Sequence, residues 1–444
     1  MVGKGYKWLL LAMLSLAFFF HQADRVLFGL LTIPIQEELK LTDLQIGWIN
    51  TSLFCTLALM VPIAGFLGDR FSRKWIITLS LMFWSLMTAC TGLVGGMCGL
   101  IFFRSVATGG GESFYAPSAY ALLAAHHKET RSVAMAVHQA ALYIGLMFSG
   151  ALVAWVLARL HAAAWVASVF GEKGYWRPVF MIFGGVGLLL GVVFIWALKD
   201  ESKGLNGFKG LNGLKGVNDP NGTNGLKGAK GSLMFAGLRA FFCNPSVVLN
   251  CIGFVAIVFA NNAYLSWAPK FAARKFNLSV GAAGNGTMLY HHLCAFAAII
   301  VAGFITDAMV RRGNPRFRLL LQTVAMACGA PMLVWFGFAP TFVSAVVATM
   351  AYGVFRGLYE TNTHASIFDV VHPTHRSSVV GLLNMIAFLT GSLSPLMIGA
   401  LSDRMGLRGF EIGFGILGSA YLIGALAMLS ALLFTFKRDR IINC

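Results

Sequence analysis

Gly65-Phe66-Leu67-Gly68-Asp69-Arg70-Phe71-Ser72-Arg73-Lys74 is a charged stretch set between two long apolar runs, and its reading decides the fold. Gly65 stands one helical turn before Asp69, so a neighbouring helix can approach closely where the glycine has no side chain, as small residues allow in bilayers. A carboxylate at a helix end can bond the N-terminus of such a neighbour. Arg70, Arg73 and Lys74 suit a layer of anionic headgroups. The stretch therefore reads as a cytoplasmic loop between two membrane-spanning helices, with Gly65, Asp69, Arg70, Arg73 and Lys74 as a gate that forms and breaks.

The pattern returns. Gly303 precedes Asp307 by the same interval, with Arg311 and Arg312 after it, and Gly399 precedes Asp403-Arg404 in the same way. Internal duplication explains the recurrence. Gly303 and Asp307 are thus expected to gate the second copy as the first loop gates its own.

Composition agrees with a chain that lives in lipid: 57% of the 444 residues are hydrophobic and 11% are charged. Twelve apolar runs have spanning length, near 9–33, 46–68, 75–96, 98–124, 133–158, 177–198, 246–269, 282–308, 318–338, 341–371, 378–400 and 411–436; a helix needs about 20 apolar residues to cross the hydrocarbon core. The expected fold is an all-α membrane protein of twelve transmembrane helices in two pseudo-symmetric six-helix bundles, 1–198 and 244–444. A flexible basic cytoplasmic linker at 199–243 joins them, and in it glycine recurs at every third residue from Gly204 to Gly231, broken at Asp219. The first run is too long for a cleaved signal and carries Asp24 and Arg25, so it reads as a retained span.

The net charge of +17 raises nucleic acid as a partner, but the basic residues gather in the segments that alternate to one side. That distribution follows the positive-inside rule and places both termini in the cytoplasm. No nucleic-acid binding is implied. The eight cysteines are scattered without metal or redox spacing. No nucleophile–base arrangement stands out either, so no enzyme, metal or cofactor is expected.

Function concentrates in ionisable groups inside the apolar runs, which are costly there and usually face a polar cavity. His21, Asp24 and Arg25 lie in the first run. Arg104, Thr108 and Glu112 lie in the fourth at four-residue steps, followed by Tyr115 and Pro117, with the Gly109–Gly111 triplet relaxing the helix. In the second half, Asn261, Asn262, Tyr264 and Trp267 sit in the seventh run, His291 and His292 in the eighth. Arg356, Glu360 and His364 in the tenth form one more four-residue stripe. Guanidinium stays charged when buried and binds carboxylate or phosphate bidentately, so Arg25, Arg104 and Arg356 are expected to hold an anionic substrate group. Tyr115, Asn261, Asn262, Tyr264, Trp267 and His364 are expected to complete the substrate site. Asp24, Glu112 and Glu360 are the expected proton-coupling groups, since a carboxyl in a dry cavity can load and release a proton as its surroundings change. Pro34 and the Gln36–Lys40 cluster are expected to end the first span, and Thr42-Asp43 with Gln45 to cap the second.

The Gly65–Lys74 loop resembles that of the major facilitator superfamily. Asp24-Arg25, Arg104 with Glu112-Ser113-Phe114-Tyr115, Trp267-Ala268-Pro269-Lys270-Phe271 and Ser394-Pro395 through Asp403-Arg404 are most similar to Spinster-type transporters within it. The anion–cation symporter group, which carries organic anions, shares the Glu112-to-Pro117 pattern and comes next. These resemblances imply a secondary active carrier working by alternating access. Its substrate would be an amphiphilic, lipid-like anion in the first case and a small carboxylate or sugar acid in the second. The expected coupling ion is a proton, with sodium as the alternative; the expected setting is a bacterial inner membrane, and the expected state a monomer. A ligand sensor on the same fold, without transport, is the rival from another class.

Overall fold

The computed structural model describes residues 4–68, 71–127, 130–161, 163–199, 238–372 and 375–441. Asp69 and Arg70 of the opening stretch, and residues 200–237 of the expected linker, lie outside the described residues.

Eleven helices among the described residues are long and apolar enough to cross a membrane. The first-half crossings include α1 (Lys4–Leu30), α3 (Asp43–Gly68) and α4 (Arg73–Thr91). The fourth apolar run crosses in pieces: a π-helical stretch at Leu100–Ala107, then α5 (Thr108–Glu112) and α6 (Tyr115–His126). Three consecutive glycines contribute little helix propensity. Pro117 falls in the first turn of α6, where its missing N–H costs nothing. Next come α7 (Arg131–His161), the short connecting helix α8 (Ala164–Phe170) and α9 (Arg177–Ala197).

The second half continues with α10 (Pro245–Phe276), α11 (Val280–Gly284) and, after a π-helical turn at Asn285–Leu289, α12 (Tyr290–Arg311). It is completed by α13 (Phe317–Phe338), α14 (Phe342–Glu360), α15 (Thr363–Phe368), α16 (Arg376–Gly391), α17 (Leu393–Met405) and α18 (Leu407–Ser430). Residues 238–242, at the end of the expected linker, are helical, and Phe241 there is buried in the core.

The two halves pair their helices alike. α1 packs on α7 as α10 packs on α16, α4 on α9 as α13 on α18, and α3 on the broken fourth crossing as α12 on α14. Between the halves, α3 lies against α17, α7 against α11 and α12, and α1 against α10. Large apolar residues such as Leu189, Trp196, Phe304 and Phe434 are exposed; a belt of that kind fits lipid rather than water.

Two local expectations change. Pro34 does not end the first span: α1 breaks at Leu31, and α2 (Thr32–Leu39) carries Pro34 in its first turn, where proline is tolerated. Lys40, at φ 52°, ends it in left-handed geometry. The second correction concerns the fourth-run stripe, because the π-helical stretch widens the turn. Thr108 Oγ1 donates back to the Phe103 carbonyl at 2.8 Å, five residues earlier. Thr42 and Gln45 do cap α3, each side chain bonding the other's backbone N–H, at 2.9 and 3.2 Å.

Candidate functional site

α1 and the broken fourth crossing build the first cluster. Arg104 is 1% exposed. Its Nη2 donates to the carbonyls of Asp24 and Arg25 at 3.1 and 3.0 Å, which fixes the guanidinium against the backbone of α1. Arg25 Nη2 reaches Glu112 Oε2 at 3.4 Å, and His21 Nε2 lies 3.6 Å from the same oxygen. Thr88 on α4 donates to Asp24 Oδ2 at 2.7 Å. The remaining atoms are the informative ones. Arg104 Nε and Nη1, Arg25 Nε, Asp24 Oδ1 and Glu112 Oε1 are buried with no hydrogen-bond partner in the protein. Leaving such groups unmade is expensive, so this cluster can take on further hydrogen bonds.

Tyr115 is placed differently. Its hydroxyl donates to the Leu14 carbonyl at 2.5 Å and lies 3.3 Å from His138 Nε2, and its ring stacks on His21 at 5.9 Å. It joins α1, α6 and α7 and is not brought to the free atoms of Arg104.

In the second cluster, Arg356 Nε and Nη2 donate to Glu360 Oε1 at 3.0 and 2.8 Å. Arg356 Nη1 lies 3.2 Å from His291 Nε2, and His291 Nδ1 is 3.1 Å from the Thr349 carbonyl. A carbonyl accepts only, so Nδ1 carries the proton and Nε2 accepts from Arg356. Tyr143 of α7 donates to Glu360 Oε2 at 2.5 Å, across from the other half.

His364 does not extend this stripe, contrary to the four-residue spacing. α14 ends at Glu360, and Asn362 leaves helical geometry at φ −108°, ψ 3°. Thr361 bonds back to the Gly357 carbonyl at 2.9 Å, and α15 starts anew, leaving His364 exposed with its ring 6.4 Å from Phe254. Asn261 Oδ1 and both side-chain polar atoms of Asn262 are buried without partners. Tyr264 donates to the Thr287 carbonyl at 2.5 Å and Trp267 to that of Pro395 at 2.9 Å, so both tie α10 to its own half.

The gating carboxylates are spread over both ends of the helices. Asp307 is exposed near the end of α12, and Lys74 donates to the Ile195 carbonyl at 2.8 Å. The third copy of the motif makes the latch. Asp403 takes the backbone N–H groups of Asp43 and Leu44 at 2.7 and 2.8 Å, capping α3 from the opposite half. A Cβ at Gly399 would lie 2.4 Å from the Asp43 carbonyl oxygen, so only glycine admits this approach. The Asp43 carboxylate is held in turn by Gln36, Lys270, Arg274 and Ser402. All of this lies at the end of α3 remote from the Gly65–Lys74 loop. Tyr143, Lys270 and the Asp43–Asp403 contact escape sequence reasoning; a single tyrosine or lysine in an apolar run was the available signal. Among the described residues, no group of three or more histidine, cysteine, aspartate or glutamate side chains could hold a metal.

Comparison with known proteins supplies the family. Residues 13–395 match the model described as Major Facilitator Superfamily. Protein spinster homolog 1 of Xenopus tropicalis is 25% identical over 84% of this chain and 68% of its own length. Sphingosine-1-phosphate transporter SPNS2 of Danio rerio is 22% identical over 86% and 73%, and the probable L-galactonate transporter of Escherichia coli (strain K12) 23% over 91% and 84%. A bacterial homologue of the human lysosomal transporter Spinster, solved inward-facing and occupied, superposes with a TM-score of 0.82 at 20% identity, covering both chains fully. The chain belongs to the major facilitator superfamily and is an integral, multi-pass membrane transporter similar to Spinster proteins.

Proposed function

From that membership, we propose that the chain is a proton-coupled carrier of an organic anion, moving an amphiphilic, lipid-like substrate by rocking one six-helix half against the other around a site near the midplane. One observation carries the reading: a buried arginine, Arg104, keeps two of its three nitrogens without a partner beside two carboxylates that each keep a free oxygen. The free edge of Arg104 would hold the anionic group in a charge-assisted pair. Asp24 and Glu112 would take and release the proton as water or substrate rearranges around them. Asn261 and Asn262 would offer their free amide atoms to polar parts of the substrate. The halves are 1–198 and 244–444, the termini are cytoplasmic, and the membrane is a bacterial inner membrane.

Similarity to a sphingosine-1-phosphate transporter supports the amphiphilic reading. Similarity to a probable L-galactonate transporter over most of the chain supports a second one, a sugar acid on the same arginine. Counterflow in proteoliposomes separates them, with labelled sphingosine-1-phosphate and labelled L-galactonate as probes and an imposed pH gradient. Exchange of one probe, with accumulation driven by the gradient, is the expected outcome. Stabilisation by a probe without exchange of either would replace the carrier with a sensor.

A further inference from the structure

We propose that Tyr143 carries the charge state of Glu360 to the opposite half of the molecule: phenol and carboxylate form a clasp that holds while Glu360 is ionised and slackens when it is neutral. The inference rests on the carrier reading and adds Glu360, expected from the sequence to be a coupling group, to Asp24 and Glu112.

The geometry is that of an ionised carboxylate shared between two donors. Oε1 takes both donors of Arg356 and Oε2 takes the Tyr143 hydroxyl at 2.5 Å, within the range of about 2.5–2.7 Å for O–H···O⁻ bonds. Protonation would turn one of these oxygens into a donor. The acceptor that Tyr143 uses would then lose its charge, and charge-assisted bonds are roughly twice as strong as neutral ones.

Tyr143 is well placed to transmit the change. It is 4% exposed, and its ring lies 5.7 Å from that of Phe296 on α12. Two residues on, a Cβ at Gly145 would stand 2.5 Å from the Phe19 carbonyl oxygen, so α7 and α1 touch backbone to backbone. α1 is the helix that carries Asp24 and Arg25. A slackened clasp thus weakens one tie between the second half and α7, the helix that packs on the one bearing the first cluster.

The groups facing Glu360 are few. Arg356 lies on its own helix, Tyr143 on α7, and neutral His291 on α12 acts through Arg356. Tyr352 of α14 and Tyr421 of α18 are within electrostatic reach of Glu360, and Tyr120 of α6 within that of Tyr143. Of these, Arg356 is the charged group opposing Glu360.

Melting temperatures of the purified full chain at pH 8 test the clasp without any substrate, using wild type, Tyr143→Phe, Glu360→Gln, Glu360→Ala and the two double variants. Tyr143→Phe is expected to lower the melting temperature by about 2 °C in wild type, by about half as much in the Glu360→Gln background, where a neutral acceptor remains, and by nothing measurable in the Glu360→Ala background. An equal drop in every background would mean that Tyr143 only packs, and would overturn the proposal. Either background decides the question, so the test stands if one of them fails to fold. Counterflow without this coupling would sink the clasp alone; coupling without counterflow would sink the carrier reading instead.

Discussion

Arg104 and Arg356 occupy matching crossings of a duplicated fold, yet they are used in opposite ways. Arg104 spends one nitrogen on two backbone carbonyls and keeps the other two unpartnered. Arg356 has all three engaged, two on Glu360 and one on His291. An arginine fastened to carbonyls keeps most of its fork for a visitor, whereas one fastened to a carboxylate is neutralised where it stands. The difference teaches that two arginines at matching places of a duplicated fold can be used differently: among the described residues Arg104 keeps two nitrogens unpartnered, as the proposed anion site needs, and Arg356 keeps none. Arg104→Ala breaks this comparison most forcefully. Bonds to charged groups are worth about 1.5–3 kcal/mol each, so losing two should slow counterflow by at least about a hundredfold and abolish stabilisation by whichever probe is carried. Retained stabilisation would move the anion site away from Arg104.

Glu112→Gln sharpens the same contrast within the first cluster. It keeps the shape beside Arg25 and His21 but removes the proton site, so accumulation under a pH gradient should collapse to an in-to-out ratio of about 1, while exchange continues in part. Unchanged accumulation would remove Glu112 from coupling.

How much of this was legible in the chain follows from the physics of each feature. Asp24, Arg25, Arg104 and Glu112 stand out because charges inside apolar runs are rare and costly, and the fold stands out because Gly-x-x-x-Asp recurs at the ends of apolar runs of spanning length. The Tyr143–Glu360 bond joins residues 217 positions apart, and the Asp403 cap on α3 joins residues 360 apart. Both depend on how the halves dock, which no local pattern encodes. The π-helical stretch before Thr108 and the break at Thr361–Asn362 were equally hidden, since regular four-residue spacing looks the same whether or not the helix runs through it.

Arg356→Lys tests the second side of the comparison at a smaller scale. Lysine has a single charged nitrogen and cannot repeat a fork that reaches Glu360 twice and His291 once. The expected result is a fall of about tenfold in the maximal exchange rate with KM little changed, because the Arg356–Glu360–His291 cluster is loosened without touching the anion. A rise in KM as large as that of Arg104→Ala would show that both arginines hold substrate, and the asymmetry would be lost.

The smallest effect is expected at His364, and it is informative because the spacing alone would give His364 a place beside Glu360. The structure ends α14 at Glu360 and turns the chain at Asn362, so His364 is exposed near Phe254, with no bond to Arg356 or Glu360 among those described. Surface substitutions away from networks usually stay within about 0.5 kcal/mol, so His364→Ala should leave melting temperature, exchange rate and its pH profile close to wild type. A shifted pH profile in His364→Ala would mean that α14 and α15 straighten into one helix at some point of the cycle. The four-residue stripe would then exist in that other state, and the second cluster would gain a second histidine beside His291.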